Sequence, residues 1–152
     1  MSQSINILEK IEKAQQELKD NNNLTTEDIW YLNHNIATNY YNLGNQYIIE
    51  KNINKTLKNF TIAKQKFYNI KCHCTVACVL LNTAILLIEN NNYNEARNNL
   101  LEVLLIYNSL PYNSWKKKIY FRWHCTNILL DDYILNPKIM YLKNDLKNNY
   151  YH

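Results

Sequence analysis

Glycine and proline are nearly missing from this sequence, one and two residues in 152. A β protein needs a Gly, Asn or Pro turn signal about every 8–12 residues, so the shortage argues against a sheet and predicts an all-α chain. Charge is also sparse. Charged residues make up 20% and apolar residues 47%, a balance that suits a packed globular domain and not a disordered one. No apolar run approaches the roughly eighteen residues of a membrane span, and the opening MSQSINILEKIEKAQQEL lacks the charge-then-apolar order of a signal peptide. The expected setting is the cytoplasm, where the four cysteines stay reduced. Neither sign of charge dominates. The net charge is +4, and the one basic concentration is Lys116-Lys117-Lys118 with Arg122, a small footprint for nucleic acid. The sequence holds no phosphate-cradling glycine loop, nucleophile elbow or His-Glu metal helix, and Asp131-Asp132 falls at an expected helix end where solvated carboxylates are common. Neither an enzyme nor a cofactor is expected, and neither nucleic acid nor membrane is an expected partner.

The chain does carry helical periodicity. Ile7, Leu8, Ile11, Ala14 and Leu18 form one stripe, which ends at Asp20-Asn21-Asn22-Asn23. Thr25-Thr26-Glu27-Asp28 reads as an N-cap with acidic residues in the first turn, followed by Ile29, Leu32, Ile36, Tyr40, Leu43 and Tyr47 in one long helix to about residue 50. After Lys51-Asn52 a second run, Ile53 to Phe67, must return antiparallel because the connection is so short. Val76 to Leu87 and Tyr93 to Tyr107 repeat the arrangement around Asn90-Asn91-Asn92. Pro111 ends it, Ser114 is the expected cap of the next helix from Trp115 to Leu130, and an Asn-rich segment from Pro137 to Lys147 closes the chain. Asparagine, with 27 residues, is so frequent that any single Asn carries little weight.

Superposing the hairpins at an offset of forty residues pairs Tyr40 with Leu80, Gly44 with Ala84, Tyr47 with Leu87, Thr56 with Ala96, Phe60 with Leu100 and Ala63 with Val103. Small residues recur where a first helix would cross its partner, and large ones recur between them. This explains the lone glycine. Gly44 costs about 1 kcal/mol of helix propensity against alanine, offset where the missing side chain admits the partner helix. The third pairing puts His124, Asn127 and Asn136 where small or apolar residues belong, as in a divergent terminal repeat. The pattern resembles the tetratricopeptide (TPR) repeat, though with a longer period. It implies an α-solenoid of about three helical hairpins behind a leading N-terminal helix, in one domain over residues 1–152 with repeats at about 26–76, 77–114 and 115–152.

Two more specific resemblances follow. LeuThrThrGluAspIle at 24–29, the aromatic helix ending in LeuGlyAsnGln, LeuLeuAsnThrAlaIleLeuLeuIleGlu at 80–89 and AsnTyrAsnGluAlaArg at 92–97 are similar to the C-terminal peptide-sensing domain of Rgg/MutR-type bacterial regulators. That family also carries a DNA-binding helix-turn-helix, and this chain begins directly in the repeats. The resemblance implies a cytoplasmic regulatory module that binds a short peptide in its groove and is able to form a homodimer; apart from the resemblance, Trp30, Tyr40 and Tyr41 are expected to be exposed and offer a candidate dimer face. By repeat position the groove-facing residues are Thr38, Tyr41, Asn42, Asn45, Asn82, Lys118 and Arg122. Alternatively, Asn45, Asn82, Lys118 and Arg122 resemble part of the carboxylate clamp by which TPR co-chaperones hold the C-terminus of Hsp70 or Hsp90, with Tyr41 standing where that family has a lysine. Cys72-His73-Cys74, Cys78 and His124-Cys125 match no common zinc spacing, so they are expected to be core fillers and not a metal site.

Overall fold

A computed structural model describes residues 2–111 and 113–135. Its described residues form six α-helices and no strand: α1 (Gln3–Asp20), α2 (Thr26–Ile49), α3 (Ile53–Asn69), α4 (His73–Glu89), α5 (Tyr93–Ser109) and α6 (Ser114–Leu135). They divide into two compact units, with the boundary between residues 73 and 74. Asn136 and the expected segment from Pro137 to Lys147 lie outside the described residues.

In the first unit α1 packs on α2, and α2 packs on α3. Ile7, Ile11 and Ala14 of α1 meet Leu32, Ile36 and Leu43 of α2, with Leu18, Leu24, Tyr40 and Tyr47 around them. The start of α2 is fixed by a capping box. Thr25 Oγ1 accepts the Asp28 N–H (3.1 Å), while Asp28 Oδ2 accepts the Thr25 N–H (2.9 Å), satisfying two donors that helix geometry leaves without partners. Gly44 faces α3, as its place in the repeat predicts. A Cβ built on it would lie 2.5 and 2.6 Å from ring carbons of Phe60, which is itself buried and stacked on Tyr41 at 5.1 Å.

In the second unit α4 is buried around most of its circumference, from Val76 to Ile88, as its nearly uniform apolar sequence requires. Ala84, Ala96, Leu100 and Val103 are all buried, like Gly44, Thr56, Phe60 and Ala63 forty residues earlier. α5 packs on α6. Trp123 Nε1 donates to Leu100 O (2.9 Å), Tyr107 and Tyr120 are in ring contact at 5.5 Å, and Lys116 Nζ donates to Leu110 O (3.1 Å) while lying 4.7 Å from the Tyr107 ring centre. The side chain that closes the start of α6 is Asn113, whose Oδ1 accepts the Lys116 N–H (3.0 Å), one residue before the expected Ser114. The helix runs to Leu135, so Asp131 and Asp132 fall among its last five residues, near the expected helix end.

One turn recurs three times. Asn52 N–H donates to Tyr47 O, Cys72 N–H to Phe67 O and Asn92 N–H to Leu87 O, at 2.8, 2.9 and 2.8 Å. The preceding residues Lys51, Lys71 and Asn91 have φ of 56°, 61° and 61°. These are Schellman closures, in which a left-handed residue folds the chain back onto the last helical carbonyls. Each connects two helices through three residues, so α3, α4 and α5 begin at 53, 73 and 93.

Candidate functional site

The first unit carries a polar cleft of about 320 Å³ between α1 and α2. Asn39, Asn42, Asn45 and Gln46 line it from α2, Gln3 and Lys10 line it from α1, and Ile7 and Ile49 supply its apolar contacts. Spacings of three and four set these α2 amides on one side of the helix, next to the apolar stripe that packs on α1. Asn39 is held in place, its Nδ2 donating to Asn35 O at 3.0 Å. Asn42 is exposed. Asn45 is half-buried, and its Oδ1 is buried with no donor among the described residues. A buried acceptor of this kind calls for an N–H or O–H from water or a ligand.

Of the four groove residues expected in this unit, Asn42 and Asn45 reach the cleft. Thr38 donates its hydroxyl to His34 O (2.9 Å) within its own helix, and Tyr41 lies against Phe60. Sequence reasoning missed Gln3, Lys10, Asn39 and Gln46. The recurrence of amides at 35, 39, 42 and 46 was a readable signal, but frequent asparagine hides such a stripe, and α1 stood outside the repeat frame. Among the aromatics of the expected dimer face, Tyr40 and Tyr41 are half-buried. Trp30 is exposed at its edge, with Nε1 donating to Ile70 O (3.3 Å).

In the second unit Arg122 Nη2 donates to Asn82 Oδ1 at 2.6 Å, linking residues forty apart on α6 and α4. Asn82 is only 3% exposed, so its amide holds the guanidinium instead of opening to solvent. One turn earlier on α4, burial raises the pKa of the Cys78 thiol above its ordinary value, an effect the Arg122 charge opposes and Cys74 reinforces. Lys118, one turn before Arg122, points elsewhere: its Nζ lies 5.3 Å from the Trp115 ring centre, at the edge of an open cleft of about 580 Å³ lined by Trp115, Lys117, Lys118 and Phe121. Arg122 and Lys118 thus make different contacts, although the charges of both act on the Cys78 thiol.

The four cysteines are free thiols, and no group of three or more His, Cys, Asp or Glu side chains poised for a metal occurs among the described residues. His124 is exposed and its ring lies parallel to Tyr120 at 6.3 Å. No helix among the described residues is long and apolar enough to cross a membrane. No family model matches the chain, and no curated protein or solved structure matches it either. The likeness to repeat families therefore rests on the residue pattern.

Proposed function

We propose that this protein is a non-enzymatic peptide- or protein-binding module of the TPR-like kind, working in the cytoplasm as a regulatory peptide sensor or interaction protein. The observation that carries the reading is the amide-lined cleft of the first unit with the donorless Asn45 Oδ1 at its wall. Side-chain amides offer a donor and an acceptor each, matching a peptide backbone without reading its charge, and Ile7 and Ile49 give apolar contact to its side chains. Four free cysteines suit a reducing compartment. Calorimetric titration with short apolar peptides tests the reading. Binding should tolerate salt and weaken about five- to tenfold in Asn42→Ala or Asn45→Ala, the scale of one lost hydrogen bond. Silence toward every peptide class would leave a plain scaffold.

A second reading, capture of an acidic C-terminus as by a chaperone adaptor, is favoured by the Arg122–Asn82 pair, which presents a guanidinium already oriented. Under that reading Arg122→Ala abolishes binding of a peptide with a free terminal carboxylate, and added salt weakens it.

A further inference from the structure

Within the second unit, α5 and α6 together line a cleft of about 180 Å³. Leu100 and Leu101 come from α5, Trp123 and Leu130 from α6. Leu100 and Leu130 are buried and form its floor, whereas Leu101 is 60% exposed at the rim. The walls are fixed: the Trp123 indole is tied to Leu100 O, and Asn127, also in the lining, donates its Nδ2 to Trp123 O at 2.8 Å. The same lining carries one charge of each sign, Arg97 from α5 and Asp131 from α6, both exposed. Neither is engaged in an ion pair or a hydrogen bond among the described residues. Opposite charges that share an apolar recess without neutralising each other select a ligand that is itself a dipole, since a simple amine is repelled by Arg97 and a simple acid by Asp131.

We propose that this cleft binds a free α-amino acid with an apolar side chain. The α-carboxylate pairs with the Arg97 guanidinium, the α-ammonium donates to the Asp131 carboxylate, and the side chain lies on Leu100, Leu101, Trp123 and Leu130. A dry apolar cavity of about 150 Å³ takes up benzene, so a cleft of about 180 Å³ has room for a side chain of leucine or phenylalanine size. Within a polypeptide the two charged groups become amides. An internal peptide segment would therefore leave both Arg97 and Asp131 without an opposite charge. Because both side chains are exposed, each ion pair adds little and the affinity is modest.

The inference depends neither on the first-unit cleft nor on the Arg122–Asn82 pair. The test is calorimetric titration of the full chain with L-leucine and L-phenylalanine, beside leucinamide, which lacks the carboxylate, and N-acetyl-leucine, which lacks the ammonium. One-to-one binding of the free amino acids is expected, with a dissociation constant on the order of 0.1–1 mM. Each blocked ligand should bind about three- to fivefold more weakly, the scale of one exposed ion pair. The variants should cross with the ligands. Arg97→Gln should weaken leucine about three- to fivefold and leave leucinamide unchanged, while Asp131→Asn should weaken leucine by a similar factor and leave N-acetyl-leucine unchanged. A merely structural role for either residue would not produce that pattern. Asn42→Ala should stay within about twofold, and thermal melts by circular dichroism confirm that each variant is folded. No saturable binding of either amino acid by the wild type overturns the proposal, as does equal affinity for the blocked ligands or equal binding by all variants. Loss of binding in Asn42→Ala would place the amino acid in the first-unit cleft and overturn it. Tighter binding of doubly blocked N-acetyl-leucinamide than of leucine would assign the cleft to a polypeptide segment and also overturn it.

Discussion

Gly44 decides how closely α2 and α3 approach. A methyl group there would lie 2.5 Å from a ring carbon of Phe60, well inside the roughly 3.5–4.0 Å of favourable carbon contact. Phe60 is 1% exposed and stacked on Tyr41, so it has nowhere to turn. Overpacking of this kind costs about 1–3 kcal/mol, against the ~1 kcal/mol that alanine gains in helix propensity. Gly44→Ala should therefore lose up to about 2 kcal/mol in urea unfolding, and Phe60→Leu in the same chain should recover part of it. This position was legible in the sequence because a lone glycine in a periodic helix needs a reason. Asn82 was not. Its buried amide accepts from a guanidinium forty residues away, and a pattern of polar and apolar letters does not register that partner. Tyr133 gives a second residue-scale prediction. It is buried, and its hydroxyl has no hydrogen-bond partner among the described residues, so Tyr133→Phe should leave stability at pH 7 unchanged or raise it by up to ~1 kcal/mol. Burial, then the neighbouring Glu89 and Tyr93, raise its pKa above the ordinary 10.0, and burial raises that of Cys78 above 9.0. Both groups are held neutral in the folded chain, so their contribution is complete below pH 9 and is lost as pH rises through the raised values. Unfolding midpoints should fall above pH 9, less steeply in Cys78→Ala and Tyr133→Phe.

At the scale of elements, the three Schellman turns set the regular spacing of α3, α4 and α5, and they do so without glycine. Left-handed backbone costs an ordinary side chain about 1–2 kcal/mol, and asparagine less. Lys51→Gly and Lys71→Gly should each stabilise the protein by about 0.5–1 kcal/mol after the unfolded-state entropy of glycine is counted, while Asn91→Gly should change it by a few tenths. Equal effects at all three would contradict the assignment. The turn at Ile70–Cys72 was the hardest to foresee, because neither glycine, proline nor an asparagine run marks it. The capping box of α2 was plain in ThrThrGluAsp, since a hydroxyl followed three residues later by a carboxylate matches the orphan donors of a first turn. Its hydrogen bonds from Thr25, side chain first and then backbone, hold the Asp28 carboxyl below the ordinary 3.8. The stability that this adds is present above that value and is lost as pH falls through the lowered one. Asp28→Ala should therefore be destabilising at pH 7 and nearly neutral at the acid end of an unfolding series.

At the scale of the molecule, each unit offers a surface of its own chemistry: amides with two isoleucines and the single cation Lys10 between α1 and α2, and lysines with exposed aromatic rings at the start of α6. The all-α architecture was readable from the shortage of turn residues and from the 3.6-residue period. The part α1 takes in the first cleft was not, because a helix outside the repeat frame offered no position to compare. The central claim, that the first cleft receives a peptide, is tested most directly by following side-chain amide resonances in two-dimensional NMR as a short apolar peptide is added. The account predicts that the side-chain amides of Asn42, Asn45 and Gln46 shift and saturate together, with those of Asn82 and Asn127 unmoved. A bound peptide that shifts the second unit and leaves those three amides in place would contradict it.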